Sequence, residues 1–173
     1  MPDKHAKLSA SGAHRWMACT PSASLEDQFP ESTSEYAEEG TFAHSLAELI
    51  INYNLHNMTK PQFDKAFAKM KKDKYFSQEL LEYVEGYANQ VFEFVNEAKL
   101  LCDDAIVLTE QRLDFSAYVP EGFGTGDVVI IADKELHVID LKYSKGVGFN
   151  AEGNPQTRLY GLGALEAFGM HPV

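Results

Sequence analysis

A chain of 173 residues, 45% of them hydrophobic, is long enough for one domain with a real core. Its net charge of −11 argues against non-specific affinity for nucleic acid, which depends on lysine and arginine. No apolar run reaches the length of a membrane span, and the N-terminus MPDKHAKLSASG lacks the apolar stretch of a signal peptide, so a cytoplasmic protein without membrane contact is expected. Two cysteines, Cys19 and Cys102, make neither a disulfide framework nor a paired zinc motif.

The segment LSASGAHRWMACTPSASLE carries turn signals at Ser11-Gly12 and Thr20-Pro21, and short helical turns are expected there. From near Glu38 to about Asn54, Phe42, Ala43, Leu46, Ala47, Leu49, Ile50 and Tyr53 recur at helical spacing, with His44 inside the run. A polar break at Asn57 to Lys60 leads into a lysine-rich amphipathic stretch to about Lys72. Its lysines, 65, 69, 71, 72 and 74, read either as a solvated helix end or as a phosphate track. Ser77 then caps a long helix to about Leu101, striped by Leu80, Val84, Tyr87, Val91, Phe94, Val95 and Ala98, a scaffold with no obvious chemistry.

Strand patterning follows. Ala105 to Phe115 alternates around Glu110, and Tyr118 to Gly126 reads as a loop loosened by glycines. Strands at roughly 127–132 and 135–143, turned at Asp133-Lys134, complete a meander. Gly146, Gly148 and Gly153 mark a flexible loop. Asn154-Pro155 opens a last helix, QTRLYGLGALEAFG, with Gln156 and Tyr160 on one face. The expected organisation is a single domain over 1–173, mainly helical in 1–104, with the sheet and the closing helix in 105–173.

The third strand carries the chemistry. In His137-Val138-Ile139-Asp140-Leu141-Lys142, Asp140 and Lys142 share one face while Ile139 and Leu141 take the other. A hairpin closed near Asp133 sets Asp127 roughly opposite Asp140, so two carboxylates and a lysine can converge. Convergent carboxylates repel unless a cation lies between them, and Asp oxygens suit Mg²⁺ or Mn²⁺. Taken alone, a D-x-K in a strand is more often a surface ion pair, and His44 alone more often a partly buried polar residue. Gln156 has an alternative reading as polar filler at the start of its helix, and Tyr160 as a core aromatic.

The ordered set GTFAHSLAE, GTGDVVI, VIDLKYSKG and NPQTRLYGLGAL, spanning most of the chain, resembles the PD-(D/E)xK nuclease superfamily, and within it the RecB-type exonuclease branch with its phage-encoded members. The resemblance implies an α/β fold: a restriction-endonuclease-like core with a small mixed central sheet flanked by helices, and a helical N-terminal part. It further implies a metal-dependent DNA nuclease, acting as an exonuclease in recombination, replication or repair. Asp127, Asp140, His44 and the main-chain carbonyl of Leu141 would be ligands to Mg²⁺ or Mn²⁺. Lys142 would orient the attacking water, and Gln156, Arg158 and Tyr160 would lie against the substrate backbone. Glu110 falls where an acid recurs in this branch. DNA is then the expected partner, with a recombination or helicase protein as a further one.

Iron–sulphur members of the branch pair an early cysteine with three later ones. Cys19 in HRWMACTPS matches the first, but the chain reaches Val173 without the trio, so no cluster is expected on this chain alone and Cys19 is either a remnant ligand or a small apolar residue. The rival expectation is a catalytically weak module of the same fold that binds DNA ends or a recombination protein.

Overall fold

Each long helix begins at a capping residue. The computed structural model describes residues 6–26, 28, 29, 34–133, 135–143, 150 and 152–169. Two short helices, α1 (Ala13–Ala18) and α2 (Ser22–Glu26), precede α3 (Glu35–Asn54), which starts three residues earlier than its apolar spacing indicates because Ser34 accepts the Ala37 N–H at 3.2 Å. The lysine-rich helix α4 (Lys60–Met70) opens with Gln62 Oε1 accepting the Thr59 N–H at 2.8 Å. Ser77 caps α5 (Gln78–Leu101) through the Leu80 N–H at 3.1 Å. None of the described helices is long and apolar enough to cross a membrane.

The strands are β1 (Ile106–Asp114), β2 (Phe123–Ala132) and β3 (Glu135–Ile139), and α6 (Pro155–Phe168) follows an Asn154 cap. The architecture is mixed α and β. Where the resemblance implies a mixed sheet, the described strands form an antiparallel meander in the order β1-β2-β3. Two readings shift. The segment 123–126 is strand rather than loop, and β3 stops at Ile139, leaving Asp140 to Tyr143 outside the ladder. Lys134, Gly146 and Gly148 lie outside the described residues; Gly153 takes a positive φ of 71°.

Two apolar layers cover the sheet. Leu46, Ile51, Leu80, Val84 and Val91 of α3 and α5 pack with Val128 and Ile130 on one face, and Phe63, Phe67 and Met70 of α4 border that cluster. Leu159, Tyr160 and Ala164 of α6 pack with Ala13, Leu113 and Val129 on the other. Each fully buried aliphatic side chain is worth roughly 1.5–3 kcal/mol, so this double burial dominates the stability of a small sheet.

The alternation of faces breaks once. Val128 faces α3 and α5, but a Cβ on Gly126, two residues earlier, would meet Leu113 Cδ1 at 3.0 Å on the α6 side. In β1 the same reversal separates Thr109, whose hydroxyl reaches Asn52 of α3 at 3.2 Å, from Leu113 in the α6 layer. Thr109 pairs with Val128 and Gln111 with Gly126, so the reversal falls on the facing pair Glu110 and Asp127 with no residue inserted. Glu110 accommodates it with a left-handed φ of 49°, uncommon for a residue with a side chain.

Candidate active site

Because the reversal turns Asp127 towards α3, its carboxylate Oδ1 lies 2.9 Å from His44 Nδ1. Its other oxygen, Oδ2, accepts the Leu141 N–H at 2.5 Å, taking the place of a ladder carbonyl where β3 has ended. The register that pairs Val128 with Ile139 sets Asp127 opposite Asp140, as the hairpin reading requires. The backbone positions of Glu110, Asp127 and Asp140 therefore fall in one line, with Asp140 just past the end of β3.

Asp140 and Lys142 point towards α6, and Ile139 and Leu141 towards α3 and α5. The Lys142 ammonium is 2.5 Å from Asp140 Oδ2 and donates to Gln156 Oε1 at 2.8 Å. The Gln156 amide donates in turn to Asp140 Oδ1 and to the Tyr160 hydroxyl, each at 3.2 Å. Asn154, by accepting the Gln156 N–H at 2.9 Å, fixes where this amide emerges from the helix. Tyr160 is buried against β2 at Gly124, where a Cβ would come within 2.6 Å of its ring, so the glycine is required by the aromatic above it.

Arg158 is the exception among the expected site residues. It is exposed, roughly 200° around α6 from Gln156, and makes no side-chain hydrogen bond or ion pair among the described residues. Cys19 is exposed, and Cys102 ends α5 with its thiol donating to Asp104 at 2.8 Å.

The electrostatics have a single sign. Burial pushes the Asp140 carboxyl up from its usual range and the Asp127 charge adds to this, against the opposing pull of Lys142. Glu110 is exposed as a residue, but partial burial of its carboxyl, with the charges of Asp127 and Glu48, raises it as well. Burial opposes protonation of His44, yet the Asp127 hydrogen bond and the charges of Asp127, Asp140 and Glu110 outweigh it, and its pKa rises. Tyr160 is pushed up to about 12, mainly by burial. Three carboxyl groups, of Glu110, Asp127 and Asp140, share this region with one lysine and one histidine.

Helix α5 contributes residues that its stripe conceals. Tyr83 donates to the Lys142 carbonyl at 2.8 Å and meets the Tyr143 ring edge-on at 5.2 Å, while the Tyr143 hydroxyl donates to Glu39 at 3.5 Å. One turn along, the Tyr87 hydroxyl is buried without a hydrogen-bond partner among the described residues, and burial together with the site carboxylates raises its pKa. The four-residue spacing of Tyr83 and Tyr87 was the available signal. Two clefts border the Asp140 segment: one of about 700 Å³ lined by His44, Glu48, Glu110 and Asp127, the other of about 910 Å³ lined by Tyr83, Tyr87, Asp140 and Lys142.

A family model described as "Protein of unknown function (DUF2800)" matches residues 5–171. The chain belongs to the DUF2800 family. No solved structure matches it. Every site residue of this DUF2800 chain, from His44 to Tyr160, falls within the matched span.

Among the described residues of this DUF2800 chain, no group of three or more His, Cys, Asp and Glu side chains is in position to hold a metal ion. His44 and Asp127 engage each other, Leu141 engages Asp127, and Lys142 engages Asp140. The donor chemistry nevertheless fits a hard divalent cation. Asp127 and His44 offer a carboxylate and an imidazole on the α3 side of the Asp140 segment, and Asp140, held by Lys142, offers a second carboxylate on the α6 side.

Proposed function

We propose that this chain is a metal-dependent deoxyribonuclease with a PD-(D/E)xK core, hydrolysing phosphodiester bonds as an exonuclease in recombination, replication or repair. The observation that carries this reading is the arrangement of Asp127, Asp140, Lys142, His44 and Gln156, from two helices, one strand and one loop, as two hydrogen-bonded groups joined by the Leu141 N–H, with Glu110 adding a third carboxyl group. Asp127, Asp140, His44 and the Leu141 carbonyl would hold Mg²⁺ or Mn²⁺, with Glu110 flanking them.

The cation would supply the positive charge that stabilises the phosphoryl transition state and acidifies an attacking water. The protein's own groups do the rest. Lys142 would present an ammonium to the water and to the negative charge that develops on the phosphoryl oxygens, which is where phosphodiester hydrolysis gains most. Gln156 holds that ammonium beside Asp140, and the Tyr160 hydroxyl, protonated at neutral pH, stays a donor next to both. Tyr83 anchors the backbone from which Lys142 projects.

Cleavage of end-labelled linear and closed circular DNA, single- and double-stranded, with Mn²⁺, Mg²⁺ or EDTA, tests the reading against Asp140→Asn and Lys142→Ala. Metal-dependent cleavage lost in both variants is expected, with linear DNA degraded and circular DNA spared. Absence of cleavage by the parent chain with either metal sinks it.

One observation favours a second reading. Each prospective side-chain ligand, His44, Asp127 and Asp140, already has an internal partner, as suits a catalytically weak module that grips DNA ends or a recombination protein. Under that reading Lys142→Ala leaves binding intact and no form turns over.

A further inference from the structure

On a chain of net charge −11, six of the fifteen lysines and arginines fall between Lys60 and Lys74, against two acids, Asp64 and Asp73. Three of the six are engaged within the protein. Lys60 pairs with Asp64 at 2.7 Å, Lys74 with Glu38 at 3.1 Å, and the Lys71 ammonium lies 4.7 Å from the centre of the Phe67 ring. The other three, Lys65, Lys69 and Lys72, are exposed and make no ion pair among the described residues.

Their spacing of four and three puts them on one side of α4 and of the turn that follows it. Phe63, Phe67 and Met70, on the opposite side, pack towards α3 and α5, so the three ammonium groups face solvent. Lys65 and Lys69 are a like-charge pair one turn apart, which costs an isolated helix a few tenths of a kcal/mol. Solubility does not call for them, because each lowers the magnitude of a net charge already far from zero. What they lack is an anion, and nothing among the described residues supplies one.

The path of α4 gives the row a direction. At one end Phe63 stacks on Tyr53 at 4.3 Å, near the C-terminus of α3. Past the other end, Tyr75 meets Phe42 at 6.5 Å and Lys74 meets Glu38. Helix α4 and its turn therefore run back along α3 towards the half that carries His44 and lines the acidic cleft with Tyr36 and Thr41.

We propose that Lys65, Lys69 and Lys72 form a phosphate track that holds the backbone of DNA beside the cleft. The identity of the polyanion rests on the nuclease reading; the existence of an anionic partner rests on the charges alone. This local basic row also reconciles an acidic chain with a polyanionic substrate, because the lysines gather where the backbone lies.

The test is the anisotropy of a fluorescein-labelled DNA duplex titrated with protein in EDTA, from about 50 to about 200 mM salt. Parent chain, the triple variant Lys65→Gln, Lys69→Gln, Lys72→Gln, and the control Lys99→Gln are compared, with circular dichroism to verify folding. Glutamine stays close to lysine in helix propensity, so α4 is retained. The expected result is binding weakened about tenfold or more at low salt in the triple variant, with the slope of log K against log salt reduced by about 2–3, and no change in the control. Equal affinity and slope in parent and triple variant overturns the proposal, and so does a parent that binds no DNA. Cleavage is scored separately. A triple variant that binds unchanged while Asp140→Asn abolishes cleavage removes the track and leaves the nuclease. Binding lost in the triple variant with no cleavage by any form removes the nuclease and leaves the track.

Discussion

Gln156 accepts a hydrogen bond from the Lys142 ammonium at 2.8 Å, joining the first turn of α6 to the irregular segment beyond β3. The same amide donates to Asp140 and Tyr160, so one side chain fixes three neighbours. Gln156→Leu removes these contacts at nearly constant volume. The expected outcome is a folded protein destabilised by about 1–3 kcal/mol, from polar groups left unpaired, and turnover reduced about 10–100-fold by a misplaced ammonium. Urea unfolding and single-turnover cleavage check the two parts separately, and unchanged turnover would sink the role assigned to Gln156.

The raised pKa values of His44, Asp140 and Glu110 share one consequence for stability. Each group binds its proton more tightly in the folded chain than in the unfolded one. Its contribution is fully present below the unfolded pKa, near 6.5 for the histidine and near 4 for the acids, and is lost as pH rises through the folded value. The metal-free protein is therefore expected to have a higher urea midpoint at pH 5.5 than at pH 8. Since ligation requires the deprotonated groups, Mn²⁺ binding should release protons and tighten with rising pH over the same range. Calorimetry in buffers of different ionisation enthalpy measures that release.

Two glycines of α6 are expected to respond oppositely to alanine. A Cβ at Gly161 meets nothing within 4 Å, whereas one at Gly163 would lie 3.1 Å from the Asp114 carbonyl oxygen and from Leu113 Cβ. Gly161→Ala should stabilise by about 0.5–1 kcal/mol through helix propensity. Gly163→Ala should destabilise by about 1–3 kcal/mol, because α6 must lift off β1. Thermal melts of both variants settle it, and a stabilised Gly163→Ala would mean that the close helix-to-strand approach is wrong.

Tyr83→Phe keeps the edge-on contact with Tyr143 and deletes only the hydroxyl that holds the Lys142 carbonyl. Stability should change by less than about 1 kcal/mol at this exposed position. Turnover should fall several-fold with KM unchanged, since the loss acts on the placement of Lys142. A variant that matches the parent in turnover assigns Tyr83 to packing alone.

The legible parts of the fold were those set by local chemistry. Ser77 and Asn154 announced their helices, the β-branched run 128–131 announced its strand, and the offset between Asp127 and Asp140 followed from one hairpin. Gly124 and Gly126 misled because glycine in sequence signals a loop, while here it clears space in β2 for Tyr160 and Leu113. The positive φ of Glu110 had no local signal, since it comes from demands made on the sheet by two helical layers at once. Tyr83 escaped notice because the apolar stripe of α5 absorbs its neighbours and its own partner is a main-chain carbonyl 59 residues away.

The change of side at Glu110 and Asp127 means that neither helical layer owns the site. Asp127 is tied to α3 through His44, Asp140 to α6 through Gln156, and the Leu141 N–H is the stitch between them. Separating α6 from the sheet would misalign the two carboxylates without melting a strand. Under the nuclease reading, a chain with every helix and strand intact is then expected to be inert, its turnover reporting how the two layers are docked rather than how much helix and strand it contains.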